Sequence, residues 1–371
     1  MHLVFFDGIG WDYDVTTPVE HPLGGSQSAL CYLAAEFARR GHRVTVLNGV
    51  GQPREVQAVR CLPLSDAVLS EPCEAFIALN GPADLALRLR GHLHPGALVV
   101  LWTQHAYDQP AMAALRNPAA RAAWDAIVCV SEWQRKTFVE RFTVDPTRTW
   151  LLRNAISPLF ERLLASPAEL VQVKPSHPVL AYTSTPFRGL NVLASIFPAL
   201  RGEFSTAELR VYSSMKVYRQ EEQDDPFAPL YQRCRAIPGV RYVGSLSQRQ
   251  LAQELLGVSL LSYPNTFAET SCIAVMEALA AGAYVVTSDL GALPETTQGL
   301  ATLVPPGLPG EQSKYAGRFL QSLLAVLRQW QQNPEGFAAA RFEQVRQINA
   351  ACTWSVRAQE WEEAIGRMKT H

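Results

Sequence analysis

The chain has 371 residues, 48% of them hydrophobic and only 18% charged, with a formal net charge of −1. At ~100–200 residues per domain, this length predicts two domains or one large one, with ample apolar content for a core. The balanced charge excludes a bulk electrostatic field for nucleic acid or an anionic membrane, so any phosphate binding has to be local.

Residues 3–6 (Leu-Val-Phe-Phe) follow no basic leader and start no long apolar segment, which reads as a first β-strand and not a signal peptide. No apolar run nears the ~20 residues that cross a bilayer. Both observations predict a cytoplasmic protein without a transmembrane segment and leave peripheral contact with the inner membrane face open. The seven cysteines (31, 61, 73, 129, 234, 272 and 352) are an odd number without Cys-x-x-Cys or a Cys/His cluster. They read as reduced, mostly buried thiols in a reducing compartment, with no zinc site.

Strand-like runs continue at 43–47, 75–79, 98–102, 126–130 and 150–152, and a second series at 179–183, 209–212, 240–243, 258–262, 284–287 and 302–304. Amphipathic stretches alternate with them, among them 26–40, 132–142, 248–256 and 272–281. Apolar strands alternating with helices predict parallel sheets covered on both faces, hence an α/β chain of two doubly wound, Rossmann-like domains. Pro158, Pro167, Pro175 and Pro178 interrupt the periodicity between the two series. The expected division is a first domain over 1–160, a linker over 161–178, a second domain over 179–350 and a final helix over 351–371 with Thr353 as candidate N-cap. Open α/β sheets bind ligands at the carboxyl ends of their strands, so two such domains are expected to face an interdomain cleft.

The strand-to-helix turns are therefore where chemistry-bearing residues are expected. Asp7-Gly8-Ile9-Gly10 begins like a dinucleotide fingerprint but lacks the third glycine and lies far from the next helix, which weighs against a nicotinamide cofactor. Gly24 and Gly25 precede a helix and can cradle a phosphate, or they form a plain glycine turn with Ser26 as N-cap. Asp12-Tyr13-Asp14 spells a metal-nucleotide triplet that is common by chance, and no metal is assigned to it. His105 ends the polar cluster after strand 98–102, as a site residue or a loop cap. Arg188, after strand 179–183, is a charge-matched partner for a diphosphate or an exposed loop arginine. Lys216 occupies a similar turn.

The most specific segment is 263–279. Glu269 stands in a loop, Thr270 and Ser271 are candidate N-caps, and Glu277 is the only charged residue of an apolar helix. Burying Glu277 unpaired would cost several kcal/mol, so it must accept hydrogen bonds, either from ribose hydroxyls or from a buried arginine.

Glu269 and Glu277, seven residues intervening, followed by Ala280-Ala281-Gly282-Ala283-Tyr284-Val285-Val286, resemble the signature of the family-4 retaining glycosyltransferases of GT-B fold. The resemblance spans nearly the whole chain through Gly24-Gly25, His105, Val130-Ser131-Glu132-Trp133, Asn154-Ala155-Ile156, Arg188-Gly189-Leu190, Val243-Gly244-Ser245-Leu246 and Thr353-Trp354-Ser355-Val356. It implies that Glu277 binds the donor ribose and Glu269 the donor sugar, and that Thr270, Ser271 and Cys272 offer backbone N–H groups to the diphosphate. It also implies that Arg188 replaces the family's lysine, that Gly25 approaches the phosphates, that His105 lies near the reacting sugar, and that the final helix packs back on the first domain. Two departures stand out: Thr183 and Ser184 occupy the place of a usual arginine, and Thr270-Ser271 that of Phe-Gly.

The implied activity is transfer of a sugar from a nucleoside diphosphate sugar, UDP-linked ahead of GDP-linked, to a hydroxyl of a saccharide, lipid-linked or other glycoconjugate acceptor. The expected mechanism needs no metal, no further cofactor and no protein nucleophile, since fixed donors can stabilise the departing diphosphate. Glu269 and His105 then act by positioning and electrostatics. Loops 8–23 and 105–110 are the expected acceptor side, with Trp11, Tyr13 and Tyr107 either stacking on a sugar or anchoring their loops. A sugar-nucleotide epimerase and a non-catalytic partner protein of the same fold are the alternatives. Residues 1–160 hold 14 basic and 15 acidic residues, which argues against strong lipid attraction by that domain.

Overall fold

A computed structural model describes residues 1–307 and 310–369. The last two residues of the expected terminal segment lie outside the described residues. Eight strands form the first sheet: β1 (His2–Asp7), β2 (Arg43–Leu47), β3 (Arg54–Val56), β4 (Val59–Leu62), β5 (Ala75–Leu79), β6 (Leu98–Thr103), β7 (Ala126–Cys129) and β8 (Thr149–Leu151). Their order is β3-β4-β2-β1-β5-β6-β7-β8, parallel except for the antiparallel β3/β4 pair. The second sheet holds β9 (Val179–Tyr182), β10 (Glu208–Val211), β11 (Val240–Tyr242), β12 (Leu260–Tyr263), β13 (Tyr284–Ser288) and β14 (Ala301–Val304) in the order β11-β10-β9-β12-β13-β14, all parallel. Strands β1, β5, β9 and β12 are buried along their whole length, as their continuous apolar runs require when helices cover both faces.

The longer helices are α1 (Gly25–Arg39), α2 (Glu132–Phe142), α3 (Leu190–Glu203), α4 (Ala228–Ala236), α5 (Gln248–Leu256), α6 (Ile273–Ala280), α7 (Gln312–Gln332), α8 (Pro334–Ala351) and α9 (Trp354–Lys369). None among the described residues is long and apolar enough to cross a membrane. All seven cysteines are buried, and none of them forms a disulfide.

The chain divides into two units. One comprises Met1–Pro18, Gly25–Ala155 and the segment from Trp354 onward, and the other Val19–Gly24 and Ile156–Thr353. The division differs from the expected one at the proline-rich segment, because 161–178 is built into the second unit. Pro158 and Pro167 open short helical turns, where a missing N–H costs nothing. Leu164 and Leu170 pack with Val345, and Lys174 Nζ donates to the carbonyls of Leu255 (3.2 Å), Val258 (2.7 Å) and Ala281 (2.8 Å).

Helix α9 packs on α1 in the first unit. Trp361 meets Trp102 edge-on at 5.4 Å, and Glu362 takes Arg40 in a bidentate pair (2.7 and 2.6 Å) and His42 at 2.6 Å. Those bonds, led by Arg40, hold the Glu362 carboxyl down at about 2.

Candidate functional site

In the second sheet the strand order reverses across β9 and β12, so the loops leaving these two strands diverge from a topological switch point. Gly189 has φ +117°, and a Cβ there would lie 2.0 Å from the Pro264 carbonyl oxygen, so only glycine lets the two loops approach. Arg188 is thereby set against Glu269, Nη1 to Oε1 at 2.6 Å. The Tyr263 hydroxyl donates to the same Oε1 at 2.5 Å, and Ser184 Oγ lies 3.3 Å from that hydroxyl. On the far side Gly291 has φ +62° and would place a Cβ 2.5 Å from the Glu269 carbonyl oxygen, which accepts from the Ala292 N–H at 2.7 Å.

Glu269 is 3% exposed, so its charge has to be balanced locally, and Arg188 supplies the cation. Burial pulls the Arg188 pKa down, but Glu269, assisted by Tyr263 and Tyr218, more than offsets it and the guanidinium stays charged. It packs over Phe267 (4.9 Å to the ring centre) and Phe187 (5.5 Å), and its buried Nε has no hydrogen-bond partner among the described residues.

Helix α6 starts just beyond this pair. Its N-cap is Cys272, with no capping bond from the side chain, and not Thr270 or Ser271 as expected. Thr270 and Cys272 are buried and Ser271 half-buried. Burial, then Glu269, pushes the Cys272 thiol well up, so it is not a thiolate. Glu277, on the same helix, is 2% exposed and its partners are neutral: the Ser157 N–H donates to Oε1 at 3.2 Å, and the Gln248 side chain bonds to it as well. The arginine of the ion-pair alternative is not what holds it. Burial pushes its pKa up to about 8 against the pull of these two bonds.

Lys216 is exposed on a 3-10 turn (Met215–Tyr218) whose Tyr218 is close enough to bear on Arg188. The turn is fixed by buried Asp225, which accepts from the Met215 N–H (3.1 Å) and the Tyr231 hydroxyl (2.6 Å), and by the Tyr242 hydroxyl on the Ser213 carbonyl (2.7 Å). Sequence reasoning missed Tyr263, Gln248, Ser157 and Asp225. A tyrosine ending a fully apolar strand is a usable signal for the first, since a buried hydroxyl needs an acceptor.

The remaining candidates, apart from Gly24, belong to the first unit. Gly24 falls in the segment that groups with the second unit, whereas Gly25 is the first residue of α1, which places Ser26 inside the first turn and not at the N-cap. His105 is half-buried after β6, its N–H on Thr103 Oγ1 (3.1 Å) and its carbonyl accepting from Gln134 Nε2 (2.8 Å). Burial lowers the His105 pKa against smaller opposing bonds to Gln109 and Asn80, which favours the neutral imidazole. Tyr13 is corrected: it is 1% exposed, with its hydroxyl on Asp7 at 2.7 Å, and so is a core anchor and not a stacking surface. Trp11 is half-buried and its carbonyl accepts from the Gly49 N–H at 3.0 Å. Tyr107 is half-buried against Trp133 (6.4 Å) and the Arg141 guanidinium (4.9 Å). Asp12 and Asp14 both hold Arg54, at 2.6 and 3.1 Å, which gives that triplet a structural role.

Residues 178–322 match the family model described as "Glycosyl transferases group 1". The whole chain is similar to sucrose-phosphate synthase from Thermosynechococcus elongatus, with 14% identity, 100% of each chain covered and a TM-score of 0.74. A glycosyltransferase from Rickettsia africae aligns at 10% identity over 99% of this chain and 98% of its own (TM-score 0.72). HepE of Anabaena in complex with UDP-glucose aligns at 14% over 99% and 100% (TM-score 0.69). The fold is GT-B. Among curated proteins no sequence match is found. The Arg188–Glu269 pair, α6 and Glu277 lie inside the segment that the group 1 model covers.

Proposed function

We propose that the chain is a retaining glycosyltransferase that takes a sugar from a nucleoside diphosphate sugar, UDP-linked ahead of GDP-linked, and passes it to a hydroxyl of a saccharide, lipid-linked or other glycoconjugate acceptor. The observation that carries this reading is the buried Arg188–Glu269 pair at the start of α6 with Glu277 on the same helix. Transfer builds negative charge on the departing diphosphate, and a fixed guanidinium with the N–H groups of a helix start stabilises that charge without reorganising. Lys216, exposed on its turn, adds a second cation. These groups neutralise the diphosphate in place of a metal ion.

In this reading Glu269 faces the donor sugar and Glu277 accepts from the ribose hydroxyls. A carboxyl held up at about 8 by burial gains most from added donors, which is what a ribose diol supplies. His105 of the first unit is assigned to positioning, and Trp11 and Tyr107 to the acceptor. The seven buried thiols support a reducing, cytoplasmic setting.

Calorimetry with UDP and GDP tests the reading. Binding of one of them, weakened about tenfold or more in Glu277→Ala, is the expected outcome, and no affinity for either nucleotide overturns it.

A further inference from the structure

Glu269 could meet a ligand through either carboxylate oxygen, and the two are not equivalent. Both donors in the structure, Arg188 Nη1 at 2.6 Å and the Tyr263 hydroxyl at 2.5 Å, address Oε1, and Oε2 has no hydrogen-bond partner among the described residues. A charged carboxylate only accepts, so the proton of the short bond sits on Tyr263 and the bond is charge-assisted.

Tyr263 is itself immobilised. It ends β12, is 2% exposed, accepts at its carbonyl from Thr287 Oγ1 (2.9 Å), and packs edge-on at 5.8 Å against Tyr182 at the end of neighbouring β9. The Tyr182 hydroxyl donates to the Thr185 carbonyl at 2.7 Å, which fixes the loop that carries Arg188. Two tyrosines on adjacent strands thus hold the two members of the ion pair, one through a loop carbonyl and one through the carboxylate.

We infer that Tyr263 is a positioning residue: with Arg188 it fixes Oε1 of Glu269, so that Oε2 is the oxygen presented to the sugar of the donor. This rests on the glycosyltransferase reading. A carboxylate held from one side by two donors cannot rotate to present either oxygen, and such rigidity lowers the cost of orienting a bound sugar for attack. Phenylalanine would fill the same space, so what the hydroxyl adds is orientation of Glu269.

The test uses the full chain with UDP-glucose as probe, measuring its turnover (hydrolysis, or transfer where an acceptor is in hand) and the affinity for UDP. In Tyr263→Phe, kcat is expected to fall tenfold or more while KM and the UDP affinity change less than threefold. In a Glu269→Gln background the same substitution is expected to change kcat less than twofold, because the group through which Tyr263 acts has already been altered. An unchanged kcat in Tyr263→Phe, or an equal loss in both backgrounds, overturns the inference while the wild type still binds UDP. A wild type that binds neither UDP nor GDP overturns the glycosyltransferase reading itself and this inference with it.

Discussion

Glu269 and Glu277 lie at the two ends of one short apolar segment and are equally hidden from solvent, yet their surroundings differ in kind. Glu269 is given a guanidinium and a phenol, whereas Glu277 is given one backbone N–H and an amide. The first carboxylate is charge-balanced before any ligand arrives. The second is left under-supplied, with its ionisation displaced to about 8. In the proposed reading one is a preset part of the site, and the other a receptor whose charge a ligand completes.

The harshest way to break this contrast is Arg188→Met, which strands the Glu269 charge. A loss of about 3–5 kcal/mol is expected, read by denaturant unfolding, together with loss of UDP-glucose turnover. Next comes Lys174→Met. Lys174 ties the carboxyl-terminal ends of α5 and α6, the helices that carry Gln248 and Glu277, so its removal leaves three carbonyls short of a donor and costs about 1–3 kcal/mol. UDP affinity is expected to suffer, while the Arg188–Glu269 pair stays intact by crystallography.

The pH dependence of Glu277 sharpens the contrast. A carboxyl whose folded pKa is raised binds more protons in the native state, so its contribution to stability falls as pH rises from ~4.3, the unfolded value, to about 8 and is constant above. Ribose hydroxyls favour the charged form, so UDP affinity should rise between pH 6 and 8.5, by up to about tenfold for each unit by which the bound ribose lowers the Glu277 pKa. Calorimetry across that range checks it, and Glu277→Gln should flatten both trends. The smallest effect belongs to a carboxylate near the surface: Glu362→Gln should cost about 1 kcal/mol or less. That cost is present above pH ~4.5 and lost as pH falls toward about 2, the sign of a depressed carboxyl pKa, and acid-unfolding curves of the two forms should converge there.

Much of this was legible before the fold was known. Strands such as β1 and β5 are buried on both faces and leave unbroken apolar runs, and Glu269, Glu277 and Arg188 stand at turns where an odd polar residue is conspicuous. The β3/β4 hairpin was not legible, because its turn places Gln57 (φ 51°) and Ala58 (φ 60°) in left-handed conformations without the Asn-Gly pair that usually marks them. Pro158 and Pro167 read as interruptions, but each opens a turn that packs within the second unit. The partners of Glu277 escaped because a backbone N–H carries no residue signature. Tyr13 misled because an aromatic in a loop resembles a binding surface until Asp7, six residues earlier, is seen to take its hydroxyl.

The path of the chain through the first unit bears on how the protein is made. The eight strands of that unit are complete by Leu151, but the helix that covers Trp102 and pairs with Arg40 begins only at Trp354. On a ribosome the second unit, apart from Val19–Gly24, emerges in full before the first can close. The earlier domain therefore waits with an uncovered tryptophan while the later one folds, and nascent chains halted before Trp354 should be the species that most need chaperones.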